Sequence, residues 1–120
     1  MEDKRVEQIE ALETLAEFNE RLLKNLPILA KELSGERLED TDKFLNDVIK
    51  AINWEIEVVN LTLDVLNEGE ERISKDIMNE KIIALSEAMK AKDDTAMADA
   101  FQKLIPVFGK LDVAVIEVIA

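Results

Sequence analysis

The sequence predicts an all-α protein: one domain over residues 1–120, folded as an up-down antiparallel four-helix bundle with helices one and four kinked at proline. Three observations predict it. Apolar residues recur at three- and four-residue steps in four separate segments, as a helix with one buried stripe requires. The breaks between segments are short and contain Gly, Ser or Asp, which makes successive helices antiparallel neighbours. The chain holds only three glycines and two prolines, and no cysteine to staple a looser fold. A length of 120 residues with 48% hydrophobic content is enough to bury a core without such help.

Helix one is expected over about residues 3–33, with a stripe of Ile9, Leu12, Ala16, Leu22, Leu26, Leu29 and Leu33. Ser34–Gly35 ends it, because glycine takes up the left-handed cap without a Cβ penalty. Asp40 or Thr41 caps helix two, which runs to about residue 67. Its core stripe reads Leu45, Val48, Ile52, Ile56, Val59, Leu63 and Leu66, and a second apolar set is Phe44, Trp54, Val58, Leu61 and Val65. Ser74 caps helix three, and Ile73 and Met78 stand where a hydrophobic staple places them. Met78, Ile82, Leu85 and Met89 form its stripe. After "KAKDD", helix four carries Met97, Phe101, Leu104, Phe108, Leu111, Val115 and Val118 in a regular four-then-three spacing.

The two prolines fall inside helical patterns, in "KNLPILAK" (residues 24–31) and "KLIPVFGK" (residues 103–110). A proline in a helix interior removes a hydrogen bond and costs ~3 kcal/mol or more, so the surrounding packing must tolerate or use each one. Both lie beside the core stripe and not on it. Gly109 costs ~1 kcal/mol in helix propensity, which suggests a close backbone approach there.

Composition narrows the function classes. Without cysteine, histidine or tyrosine, the chain has no thiolate, no imidazole base or ligand and no phenol. The remaining catalytic vocabulary is carboxylate, lysine, arginine and hydroxyl, and the reading is of a protein that is not an enzyme and uses no cofactor. A net charge of −12 repels phosphate backbones and anionic lipid, so neither nucleic acid nor membrane is an expected partner. A basic partner or a divalent cation fits that charge more easily. The opening "MEDKRVEQIE" lacks the apolar region of a signal peptide, and a cytoplasmic protein is expected.

Glu7, Glu10, Glu13, Glu17 and Glu20 make a carboxylate row on helix one, with Glu55, Glu57 and Asp64 on helix two. Paired Glu-x-x-Glu motifs of this kind hold Mg²⁺ in all-α nucleotide pyrophosphatases, since Mg²⁺ takes hard oxygens and bridges substrate phosphates. Such a hydrolase is the alternative reading. A solvated face, with Glu17–Arg21 and Glu20–Lys24 as i,i+4 pairs, accounts for the row as well. No histidine is present for a di-iron site, and no loop has EF-hand spacing.

The more informative feature is surplus hydrophobicity. Helix two is apolar around much of its circumference, and "VAVIEVIA" at residues 113–120 carries one charge. The surplus residues need cover from a second surface, and Trp54, Val58, Leu61, Val65, Val115, Ile116 and Ile119 are the expected partner-binding residues. A homodimer through helix two and the tail is the simplest cover. The tail is expected to be redirected by Pro106.

The stretch "EKIIALSEAMKAKDDTAMADAFQKLIPVF", residues 80–108, carries Ala88, Lys92–Asp93, Ala98–Asp99 and Ile105–Pro106. On these residues the chain resembles a group of small uncharacterised helical proteins of Firmicutes. "NLPILAKEL" and the Trp54 region extend the similarity, and tyrosines of the group are missing here. Association of some members with motility or flagellar gene neighbourhoods implies a partner-binding role. The expected function is therefore a protein-interaction module, chaperone- or adaptor-like, that binds another protein of unknown identity.

Overall fold

The structure, a computed structural model, describes residues 2–120 apart from the side chain of Glu2. Its four helices are α1 (Glu2–Leu33), α2 (Thr41–Leu66), α3 (Lys75–Lys90) and α4 (Asp94–Ile119), with no strand among the described residues. A helix of 32 residues at ~1.5 Å rise spans about 48 Å, and the molecule is 48 Å long. Thus α1 sets the length, and the other helices are laid along it.

Cross-helix pairs give the directions. Gln8 meets Asp64, Phe18 meets Trp54 and Glu32 meets Thr41, so α2 runs antiparallel to α1. Arg37 beside α1 reaches Asp94, and Asn19 reaches Phe108, so α4 is antiparallel to α1 as well. The closest backbone packing is α1 against α4. Beyond that, α2 lies mainly on α1 and α3 on α4, and α2 and α3 do not approach each other closely. The bundle is therefore built around an α1–α4 pair, with α2 and α3 on separate flanks.

The ends form as local chemistry dictates. Gly35, at φ +114°, stops α1. Asp40 occupies the N-cap of α2 but its side chain makes no capping bond. Thr41 organises this corner instead: its hydroxyl accepts from Leu38 N and donates to Glu32 Oε1 at 2.6 Å. Ser74 caps α3 by accepting from Ile77 N, with Ile73 and Met78 both buried. Asp93 caps α4 by accepting from Ala96 N at 3.1 Å.

Both proline-containing helices run unbroken through the ring. Pro27 and Pro106 are exposed, so the carbonyls that lose a partner four residues earlier, at Leu23 and Gln102, are on the side of the helix nearer water. The two prolines do not face each other. With Asn19 opposite Phe108, Pro27 stands level with Ala100, six residues from Pro106, or about 9 Å along the axis. They are separate accommodations within each helix.

The tail does not leave the chain to find cover. Leu111, Ala114 and Val115 are buried in the core that α4 shares with α1. Residues 113–119 continue α4, and deleting 113–120 would remove the core residues Ala114 and Val115. Nor does Gly109 admit another backbone: a Cβ there would meet nothing within 4 Å. Gly109→Ala is accordingly expected to raise stability by about 0.5–1 kcal/mol in chemical denaturation, through helix propensity alone. A loss of stability would mean that the space is needed.

Candidate functional site

The expected partner-binding residues do not form one surface. Val58, Val65 and Val115 are buried in the core, which corrects their assignment to a free face. The helix-two seam is rotated relative to the expected stripe and takes Val58 and Val65 inward, while Val115 belongs to the regular seam of α4. Leu61 is 72% exposed and Ile116 is 51% exposed, while Trp54 and Ile119 are half-buried. Leu61 belongs to the α1–α2 side with Trp54, whose ring packs on Phe18 at 4.9 Å between centroids. Ile116 instead borders Ala16 and Glu20 in a shallow groove between α1 and α4. Residues 16 and 18 point to nearly opposite sides of α1, so Leu61 and Ile116 are on different flanks.

The carboxylate row faces solvent at all five positions. Glu20 pairs with Lys24 at 3.8 Å, as expected. Glu17 and Arg21 form no ion pair; the Arg21 guanidinium lies over the Phe18 ring instead, 5.6 Å from its centroid. Asp64 accepts from Gln8 Nε2 at 2.9 Å, and Glu55 is inside the core, away from the row. Among the described residues no three carboxylates converge to hold a metal ion.

A different site emerges where α3 crosses the middle of α4. Ile73, Ile77, Met78, Pro106 and Val107 line a groove enclosing about 320 Å³. Ile77 is half exposed on one wall and Pro106 exposed on the other. The groove continues past Pro106 and Gly109 to Val113, itself 57% exposed. "KLIPVFGK" forms the α4 wall.

Beneath Pro106 the rim of this groove opposes the rest of the molecule in charge. Arg72, Lys81, Lys103 and Lys110 border it there against Glu71, whereas Glu70, Glu71 and Glu117 border its continuation toward Val113. Two of these cations are engaged. Lys103 pairs with Asp99 at 2.9 Å. Arg72 donates to the carbonyls of Leu66 and Glu68 and to Glu117. Lys81 and Lys110 make no ion pair among the described residues. In a chain of net charge −12, an apolar groove with two uncommitted ammonium groups is a local reversal of sign.

A family model described as a domain of unknown function, DUF8042, matches residues 10–113. The chain belongs to the DUF8042 family. No curated protein matches it, and no solved structure does. The residues lining the groove beneath Pro106 run from Glu71 to Lys110, wholly inside the DUF8042 segment, whereas Val115, Ile116 and Ile119 lie beyond it.

The groove is held open by residues that hydrophobic periodicity does not reveal. Asn67 terminates α2; its Oδ1 accepts from the backbone N–H groups of Arg72 and Ile73, and its Nδ2 donates to Ile73 O. This turn sends Ile73 into the core and sets the start of α3 beside α4. Arg72 then ties the end of α2 to Glu117 on α4. An Asn followed five residues later by Arg, between two helices, is the only sequence signal these residues offer.

Proposed function

We propose that this DUF8042 chain is a non-enzymatic cytoplasmic interaction module that holds a segment of another protein, in the manner of a chaperone or adaptor. The observation supporting this is the groove between α3 and α4, with its exposed apolar wall and free lysines in an otherwise acidic chain. Helix-lined apolar grooves of this kind recognise peptide segments. The finer grouping with helical proteins of Firmicutes, and their motility association, accords with the same reading. No helix of the described residues is long and apolar enough to cross a membrane.

Affinity capture from the native cytoplasm tests the reading when three baits are compared. The wild-type chain is expected to retain a defined protein that Ile77→Asp combined with Lys110→Glu loses and that Leu61→Asp keeps. Equal retention by all three, or none by any, would overturn it.

Self-association is a separate part of the proposal. Phe18 and Trp54 pack together on the α1–α2 side and exposed Leu61 follows Trp54 two turns along α2, a face suited to a second copy. Sedimentation equilibrium is expected to show a dimer that Leu61→Asp converts to monomer. A wild-type monomer at high micromolar concentration would remove the dimer and leave the groove untouched.

A further inference from the structure

Resting on that reading, we infer that the groove between α3 and α4 takes a short acidic amphipathic helix of a partner protein. Net charge alone favours a basic partner for this chain, but binding is decided over a shorter range. At physiological salt the screening length is about 8 Å, so an occupant of the groove responds chiefly to the charges lining it, Arg72, Lys81, Lys103 and Lys110 against Glu71, and much less to the distant carboxylates of α1. Uncommitted ammonium groups beside an apolar floor match carboxylates flanking an apolar stripe.

The shape of the groove supports a helix. Its walls run from Ser74 to Lys81 on α3 and from Lys103 to Lys110 on α4. Each is seven residue steps, about 10 Å, which accommodates two turns of a docked helix with anchors at i, i+3 or i+4, and i+7. An extended strand would find no sheet edge here to pair with, since the walls are helical and their backbone groups are bonded internally. The amino end of α3 opens at the same place. Ser74 caps it and Asp76 stands in its first turn, so the helix end is already complemented by the chain itself and the lysines carry the charge preference. The open space over Gly109 lets the occupant's apolar side chains lie close to α4 beyond Pro106, while Glu70 and Glu117 on the border there keep its carboxylates at the Lys81 and Lys110 positions.

The probe is a fluorescein-labelled helical peptide of two to four turns, with leucines at i, i+3, i+4 and i+7 flanked by glutamates. A twin carries lysines in place of the glutamates. Anisotropy titrations and ¹⁵N–¹H shift mapping are run on the wild type, on Lys81→Glu with Lys110→Glu, and on Lys43→Glu with Lys50→Glu. The last pair is exposed on α2 and changes net charge equally. The acidic peptide is expected to bind the wild type and the α2 variant alike, to shift the amides of Ile77, Lys81 and Lys110, and to bind the groove variant about tenfold more weakly or worse. Equal or tighter binding of the lysine peptide, an equal loss in both variants, or shifts at Phe18 and Trp54 would overturn the assignment. So would dodecanoate shifting the groove amides while the peptide does not, since that would make the site one for a small amphiphile. If the peptide fails while groove-dependent capture of a native protein persists, the acidic helix alone is wrong. If both fail, so does the interaction reading.

Discussion

Replacing Glu55 by leucine is expected to stabilise the fold at pH 9 by several kcal/mol and to abolish a fall in stability that the wild type shows between about pH 4.5 and pH 8. Glu55 lies in the buried seam of α2, fully excluded from water, and neither carboxylate oxygen has a hydrogen-bond partner. Burial alone pushes its carboxyl up to about 8. No charge faces it from inside. The other buried polar side chains are Gln8, Asn19, Thr41 and Thr62, none of them titratable. By the register that sets Phe18 on Trp54 and Asn19 opposite Phe108, the ionisable groups level with Glu55 are Glu17 and Arg21 on α1 and Lys110 and Asp112 on α4, all at least partly exposed.

The sign follows from which state holds the proton. Below about pH 4.5 the carboxyl is protonated in both folded and unfolded chains, and it adds no pH dependence. Above that the unfolded chain releases the proton while the folded chain keeps it, so stability falls by roughly 1.4 kcal/mol per pH unit. The fall ends near pH 8, where the folded state ionises too, after a total of about 5 kcal/mol. That is a large fraction of the ~5–15 kcal/mol that holds a domain together. Urea denaturation at pH 5, 7 and 9, with Glu55→Gln as an isosteric control, separates this contribution from the general repulsion of an acidic chain. Both variants are expected to lose the Glu55-specific slope, and only leucine also removes the unpartnered polar group. A wild-type profile parallel to that of Glu55→Gln, or a leucine variant less stable than wild type at pH 9, would show that the carboxyl finds a partner or solvent.

The second large effect is expected at Phe101. Its ring is fully buried on α4, the helix that packs against both α1 and α3. Truncation to alanine removes transfer energy and leaves a cavity, and costs roughly 3–5 kcal/mol. Leu104→Ala, also fully buried one turn on, is expected to lose about 2–5 kcal/mol by the same mechanism. A loss below ~1 kcal/mol for either, in urea denaturation at pH 6, would place the seam of α4 at the surface.

That seam is also the part of the fold most legible in the sequence. Met97, Phe101, Leu104, Phe108, Leu111 and Val115 are all apolar at strict four-then-three spacing, and all are buried. The seams of α1 and α2 keep the same spacing but are interrupted by polar residues. On α1 the buried series is Gln8, Leu12, Leu15, Asn19, Leu22, Leu26, Leu29 and Leu33. Counting apolar residues alone replaced Leu15 and Asn19 by the half-buried Ala16 and lost the register. On α2, Glu55 and Thr62 occupy seam positions, so Ile56 and Leu63 looked like core, and the inward Val58 and Val65 looked like surplus. Gln8 and Thr62 are satisfied, and Asn19 half satisfied, by partners that no periodicity reveals, while Asn19 Oδ1 and both Glu55 oxygens have none. Asn19 Nδ2 donates to Phe108 O at 3.0 Å, Gln8 to Leu61 O, and Thr62 to Val58 O at 2.7 Å.

The candidate site was legible only in part. "KLIPVFGK" stood out by its proline and glycine, yet its significance depends on α3 lying beside it, which Asn67 and Arg72 arrange through backbone bonds. Net charge, which averages over the surface, points to a basic partner or a divalent cation, whereas the proposed acidic occupant is read from the charges lining one groove. The uncommitted lysines border one groove only once α3 and α4 pack, since Lys81 and Lys110 are far apart in the chain.

Site-specific photo-crosslinking in the native cell tests the groove most directly. A benzophenone side chain in place of Ile77 or Val113, both exposed along the groove, is expected to give one discrete product containing the same partner protein. The same group in place of Glu13, on the exposed row of α1, is expected to give none. Products from Glu13 or Leu61 but not from Ile77 and Val113 would contradict the account and move the interaction surface to the α1–α2 side.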